Sequence, residues 1–334
     1  MAANAINSAY NYAAIMSQIG PDQKSLLPIV NGLVERLPIF ADAPVKESDY
    51  IDQEMVSRWT RLPAPYWHKI GEGITATMGH KQQATETMGM LRNQLRINEE
   101  VLNKIPAGAR ESWMAGEEAG FVEGMAQEVE NTLVYGDSGT APEEFDGLHV
   151  RYGSIAANSV FNNGASDSGN MTTMWLVQWH PTECCFIYPK GGGGGLRRKP
   201  GGRVYMSTDT DATGKVESTK AYAWFIITDF EWDLGLCVKD TRRIKAVRNI
   251  HKTIGNANEI DVDVLIQAKN SFRTSGQIYS YCHQDIASQL QIQVKDKGNV
   301  WMNPETPFGK PVVYVLDMPI RVSDAILLTE TTVS

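Results

Sequence analysis

The stretch Pro311-Val-Val-Tyr-Val-Leu-Asp-Met-Pro-Ile-Arg-Val-Ser-Asp-Ala-Ile-Leu-Leu-Thr-Glu330 decides how the rest of this chain is read. Its β-branched residues predict a strand over Val312 to Leu316, a turn at Met318-Pro319 and a second strand over Ile320 to Leu328. Pro319 has no amide hydrogen to give a ladder, so it belongs at a strand start or a sheet edge. Just upstream, Val264, Leu265, Ala268 and Phe272 recur at helical spacing within Ile260 to Phe272. Tyr279 to Tyr281 reads as a short strand and Asp285 to Val294 as another helix. Strands and helices mix without an internal repeat, so the residues alone describe an α+β protein.

Further towards the N-terminus, Ala221 to Thr228 and Leu234 to Lys239 read as a hairpin. Trp175 to His180 and Cys185 to Tyr188 read as strands, and Phe145 to Gly153 as the start of one. The strongest helical signal runs from Ala109 to about Val134. There Trp113, Phe121, Met125, Val129 and Leu133 fall on one four-residue series that only Glu117 interrupts. At ~1.5 Å per residue such a helix is on the order of 39 Å long. Gly116, Gly120 and Gly124 share one face of it. An interior glycine costs about 1 kcal/mol relative to alanine, so close approach of another backbone is expected along that face. Arg92 to Leu102 precedes it as a shorter helix, stopped before Pro106.

Two segments have no core of their own. Val45 to about Met90 carries the rigid turn Leu62-Pro63-Ala64-Pro65 and little inward pattern, so it reads as a two-stranded excursion. Isolated hairpins are marginal in water, so this one needs a partner surface. The first forty residues offer Asn4, Asn7, Ser8 and Asn11, with prolines at Pro21, Pro28, Pro38 and Pro44. So little apolar surface cannot offset backbone entropy of roughly 1–2 kcal/mol per residue, and an extended arm lying on a neighbour follows.

Composition narrows the function by exclusion. The 334 residues are 42% hydrophobic and 21% charged, with a formal net charge of -8. A sequence-independent nucleic-acid binder would normally be basic. The N-terminus has no signal-peptide pattern, and the densest apolar run, Ala221 to Ile227, falls far short of the ~18 residues a membrane span needs. Cys184 and Cys185 are adjacent, Cys237 and Cys282 stand alone, and no C-x-x-C occurs, so reduced buried thiols are expected.

Gly191 to Arg203 joins seven glycines to Arg197, Arg198, Lys199 and Arg203. No Gly-Lys-Ser/Thr follows and Pro200 blocks a helix start, so it reads as a mobile surface loop rather than a phosphate cradle. His180, Cys184, Cys185, Cys282 and His283 lack zinc spacing. No nucleophile elbow, nucleotide fingerprint or His-Glu-x-x-His helix occurs. The expectation is no catalytic residue, no cofactor and no metal. Arg242, Arg243, Lys245 and Arg248 form a basic run that reads as a solvated face.

Short motifs along the chain carry a resemblance. They are Arg61-Leu62-Pro63, Gly71-Glu72-Gly73, Glu144-Phe145-Asp146-Gly147-Leu148 and Tyr188-Pro189-Lys190-Gly191. Trp232 to Gly235, Arg248-Asn249-Ile250, Ile278-Tyr279-Ser280-Tyr281 and Met318-Pro319-Ile320-Arg321 follow, with Asp324 and Glu330. Their order and spacing resemble the major capsid proteins of tailed bacteriophages, which have the Hong Kong 97-type shell fold. The likeness is nearest to short-tailed phages resembling epsilon fifteen, and weakest in the first forty residues.

The resemblance implies an N-terminal arm over residues 1–44, an extended loop over 45–91 and a peripheral domain with its spine helix over 92–174. An axial domain over 175–295 and a return to the peripheral domain over 296–334 complete it. It implies a structural subunit, not an enzyme, that self-assembles as hexamers and pentamers into an icosahedral shell around double-stranded DNA. Expected partners are further copies, a separate scaffolding protein (the arm begins almost at Met1), a portal and possibly a decoration protein. No membrane is involved, and assembly takes place in the host bacterial cytoplasm. An encapsulin-type nanocompartment shares the fold and is the alternative, and an enzyme using the glycine loop is a third. Aromatic residues and arginines dominate interface energetics. Arg58, Trp59, Arg61, Tyr66, Trp67 and Lys69 of the extended loop are therefore the expected inter-subunit contacts. Some relatives weld their shells through a lysine–asparagine bond. Lys69 and Lys81 show no carboxylate-and-asparagine constellation, so noncovalent closure is expected.

Overall fold

A computed structural model of the chain describes residues 37–155, 157–207, 222–296 and 314–334. Most of the expected arm, and the first part of the closing strand at Val312-Val313, lie outside those residues. The strands are β1 Val45–Glu47, β2 Gln53–Arg61, β3 His80–Thr87, β4 Gly89–Asn98, β5 Val160–Asn162, β6 Met171–Val177 and β7 Cys184–Tyr188. They continue as β8 Arg197–Ser207, β9 Tyr222–Val238, β10 Ile244–His251, β11 Tyr279–Cys282, β12 Tyr314–Val315 and β13 Met318–Val322. Among the described residues three helices exceed two turns: Arg110–Tyr135, Val262–Asn270 and Gln284–Asp296.

The chain divides into two compact units, one of residues 1–34, 90–128 and 195–233, the other of the remainder. The long helix and β9 each belong in part to both. Residues 195–233 group with 90–128 in one of these units.

In the larger unit a mixed sheet runs in the order β12-β13-β11-β6-β10-β5. Met174 and Leu176 of β6 share one face with Val247 and Ile250 of β10, and the last two long helices close it with Leu265, Ala268, Ile286 and Leu290. The other face of β6 is covered as well, so all seven of its residues are buried. The closing stretch enters this sheet one step earlier than its composition suggests. Leu316 and Asp317 both take positive φ, 52° and 64°, and make the two-residue turn whose twist suits antiparallel strands. Met318 and Pro319 thus lie inside β13, which ends at Val322 and does not reach Leu328. Asn249, also at positive φ (58°), sits in a bulge of β10, where its side chain donates to the Val333 carbonyl and accepts from the Val333 amide.

In the smaller unit β4 and β8 flank β9. Leu95, Ile97, Trp113, Met125 and Phe230 form its core. Residues expected to be helical at Arg92 to Leu102 are strand β4, with Leu95 and Ile97 inward at period two, followed by the single helical turn Glu99–Leu102 capped by Asn98. Phe145 to Gly153, expected as a strand, contains the helical turn Leu148–Arg151 instead. The inward series of the long helix is as the spacing predicts, with Trp113, Met125, Val129 and Leu133 buried.

The hairpin expected from Ala221 to Lys239 is instead one 17-residue strand. The carboxylates in its middle meet cations of the glycine segment. Lys199 pairs with Glu231 and Arg197 with Asp233, while Arg198 reaches Glu118 and Arg203 reaches Glu99. Arg197 to Arg203 are therefore ladder residues of β8, not a loop, and their charges are spent inside the subunit. The basic run after β9 is likewise mostly buried: Arg243, Lys245 and Arg248 are 7%, 4% and 0% exposed. Only Arg242 remains on the surface.

Candidate inter-subunit contact

β2 and β3 pair in antiparallel register from Gln53↔Thr87 to Arg61↔His80, forming a hairpin whose root and tip have opposite chemistry. At the root Glu54 and Val56 point inward, and beyond Ser57 the strands are largely exposed. Glu54 is completely buried yet ionic. It accepts from Lys46 Nζ at 3.0 Å, Lys239 Nζ at 2.9 Å, Ser48 Oγ at 3.0 Å and the Asp49 amide at 2.9 Å. Burial opposes its charge, but these donors outweigh burial and hold the carboxyl down to about 2. On the facing strand Glu86 pairs with Arg58 at 3.1 Å and with Arg151 at 2.6 Å. Arg58 also donates from Nε to the Lys239 carbonyl at 2.9 Å and from Nη2 to the Val238 carbonyl.

Tight backbone packing joins these ion pairs. A Cβ on Gly235 of β9 would lie 2.6 Å from the Thr87 carbonyl oxygen, so only glycine lets β9 pass the root. At the neck, a Cβ on Gly79 would fall 2.6 Å from the Trp59 ring and 2.8 Å from the Arg61 carbonyl.

Residues 62–79 form the tip and take no strand or helix. Trp67 and Ile70 are fully exposed, and Leu62, Ile74 and Met78 nearly so. Tyr66 accepts from the Thr75 amide, and Lys81 sits over the Trp59 ring at 4.4 Å from its centroid. Of the six expected contact residues, Arg61, Tyr66, Trp67 and Lys69 are exposed at or beside the tip. Trp59 is half-exposed below it. Arg58 turns to the root, where its guanidinium is committed to its own subunit. Sequence reasoning missed Glu54, Glu86 and Arg151, whose roles depend on partners distant in the chain. It also missed Tyr205, Tyr222 and Trp224, three exposed aromatics at one end of the β8–β9 ladder.

The long helix bears on the same question. Within the chain, a Cβ on Gly120 or Gly124 would meet nothing within 4 Å. At Gly120 and Gly124 the close approach expected along that face is therefore not made by the described residues of the chain. The four cysteines are buried free thiols, and among the described residues no three potential ligands cluster as a metal site would require.

A long helix, a projecting hairpin rooted by buried carboxylates, and a mixed sheet that receives the closing strand define a shell subunit of the Hong Kong 97-like class. In bacteriophage Epsilon15, a solved structure matches this chain with a TM-score of 0.74 and 21% identity, over 97% of each chain. A family profile described as Major capsid protein GP7 matches residues 20–334, and the chain belongs to that family. More remote structural matches include the capsid of bacteriophage JBD30, at a TM-score of 0.42 and 10% identity over 82% of this chain and 90% of that one. The capsid of an empty GTA particle scores 0.39 at 12% identity, over 74% and 99%. No curated protein sequence matches.

Proposed function

We propose that this capsid shell subunit joins its neighbours chiefly through the β2–β3 hairpin, whose tip lies on an adjacent copy. The observation that carries this reading is the contrast along one element: buried ion pairs at the root, and at the tip Trp67 and Ile70 standing wholly in solvent. Exposed aromatic and aliphatic groups on a supported arm cost free energy in water and gain it when covered, at about 25 cal/mol per Å² of apolar surface. Arg61, Trp59, Tyr66, Trp67 and Lys69 supply the contact, and Arg58 holds the arm that presents it.

Within this reading the segments 1–44, 45–91, 92–174, 175–295 and 296–334 serve as arm, extended loop, peripheral domain, axial domain and peripheral return. Copies assemble as hexamers and pentamers in the host cytoplasm, around a separate scaffolding protein and a portal. The finished shell encloses double-stranded DNA, takes a decoration protein where one exists, and closes without covalent welding. The subunit performs no catalysis.

Replacing Pro63 to Met78 with a two-residue Asn-Gly turn tests the central claim. The variant should stay soluble with wild-type circular dichroism, while electron microscopy shows no particles or particles that collapse on mild heating. Normal heat-stable particles would refute it.

A further inference from the structure

The end of the β8–β9 ladder presents a surface that the hairpin reading does not use. Tyr205 lies opposite Trp224 in the register, which puts both on one face of the ladder. Their ring centroids are 5.0 Å apart. Tyr222 stacks on Tyr205 at 5.6 Å with planes 24° apart. Arg203 lies over the Trp224 ring at 4.2 Å and is held there by Glu99, which accepts from its Nε at 2.8 Å. The rings are nonetheless open, with Tyr205, Tyr222 and Trp224 57%, 48% and 42% exposed. The result is an aromatic platform whose rings already contact one another before anything binds. That pre-organisation lowers the entropic cost of covering it.

An exposed row of tyrosine and tryptophan faces suits a particular kind of chain. Proline-rich segments dock on aromatic-lined surfaces because their extended conformation is already formed and their rings lie flat. This chain carries such a segment at the hairpin tip, Leu62-Pro63-Ala64-Pro65-Tyr66, with no regular structure and with Leu62 68% exposed. Among the described residues, the large exposed apolar side chains that gather in numbers do so on this hairpin and on this platform.

We propose that in the shell the Leu62–Tyr66 segment of one copy docks on the Tyr205–Tyr222–Trp224 platform of a neighbouring copy. The inference rests on the reading that the hairpin tip makes the lattice contact, and it names the surface that receives it.

The test uses full-length subunits in mixed assembly. One batch carries only Pro65→Cys and the other only Tyr205→Cys, and the four native thiols are buried. Particles assembled from the mixture are treated with a flexible bis-maleimide and denatured. A linked dimer that needs both variants is expected. A dimer formed by the Tyr205→Cys batch alone would mean that platforms pair with each other, and no linked dimer would mean they face something else; either overturns the proposal.

Trp224→Ser gives a second readout that separates the two claims. It should fold as wild type but raise the subunit concentration needed for assembly about tenfold or more, as loss of an interface anchor does. If Trp224→Ser assembles normally while the tip replacement abolishes particles, the platform is not the receptor and the hairpin reading stands. If both assemble normally, both claims fall.

Discussion

Glu54→Gln isolates the electrostatics of the hairpin root with almost no change in shape. Glu54 ionises at about 2, against an ordinary value of 4.5. That difference corresponds to an upper bound of roughly 3 kcal/mol of stability, at 1.36 kcal/mol per unit. The bound needs discounting, because the side chains of Lys46 and Lys239 are 29% and 30% exposed and would regain some water on losing their partner. A loss of about 2 kcal/mol at neutral pH is expected. The carboxyl is depressed in the folded state, so its contribution is complete above 4.5 and disappears as pH falls from there through about 2. Hydrogen exchange on unassembled subunits reads the effect locally. Amides of β2 and β3 near the root should exchange about thirty-fold faster in the variant at pH 7, since about 1.4 kcal/mol is tenfold. The gap between wild type and variant should narrow on acidification. Unchanged exchange at pH 7, or a gap at pH 3 as large as at pH 7, would refute the view that this carboxylate fixes the arm.

Gly120→Ala should stabilise the free subunit by about 1 kcal/mol through helix propensity, because the added Cβ meets nothing among the described residues. If a neighbour packs there, assembly should weaken even as the subunit's melting temperature rises; unchanged assembly would show that the face stays open in the shell. Gly235→Ala should do the reverse, since its Cβ would meet the Thr87 carbonyl at 2.6 Å. Overpacking of this kind costs typically about 1–3 kcal/mol, and thermal melting of the subunit should register the loss. His149, placed 5.5 Å from the Tyr135 ring, is held down to about 4 by burial and, second, by the positive charge of Arg248. A base depressed in the folded state contributes stability above 6.5 that is lost as pH falls towards about 4. His149→Gln should therefore flatten the stability profile between those values in urea titrations, and an unaltered slope would assign the acid sensitivity elsewhere.

What the sequence disclosed and what it hid divide along a physical line. The long helix was legible because its inward positions recur every four residues, and the hairpin because it visibly lacks a core. The closing strands were legible through Pro319 and their β-branched neighbours. The turn was misplaced because Leu316 and Asp317 take a left-handed conformation that neither residue advertises. From sequence β9 reads as two strands; in the structure Asp229, Glu231 and Asp233, residue types depleted in strands, lie within one. Once Lys199 and Arg197 lie opposite them, the same residues are cross-strand ion pairs. The solvated face assigned to Arg243, Lys245 and Arg248 failed for a related reason. Arg248 is buried 3.6 Å from Glu330 and Lys245 donates to Ser159 Oγ at 3.1 Å, contacts made across the sheet and not along it. Periodicity reports burial by apolar neighbours; it is blind to charges buried in pairs.

The same distinction separates folding from assembly in this subunit. Many ionic groups that an interface could have used are paired internally. The cations of β8 meet carboxylates of its own unit, and Glu54 and Glu86 hold the hairpin root. Breaking a buried pair leaves an uncompensated charge, so the contacts of Glu54 and Glu86 fix the root strongly while adding modest net stability. The hairpin tip and the β8–β9 platform instead expose aromatic and aliphatic side chains, whose burial is nondirectional and scales with area. On the proposed reading the two kinds of contact divide the work: the arm is aimed by charge at its base, and the contacts at its end tolerate small differences in angle. Net charge then says little about the lattice, because many of the charges were already committed before the first two copies met.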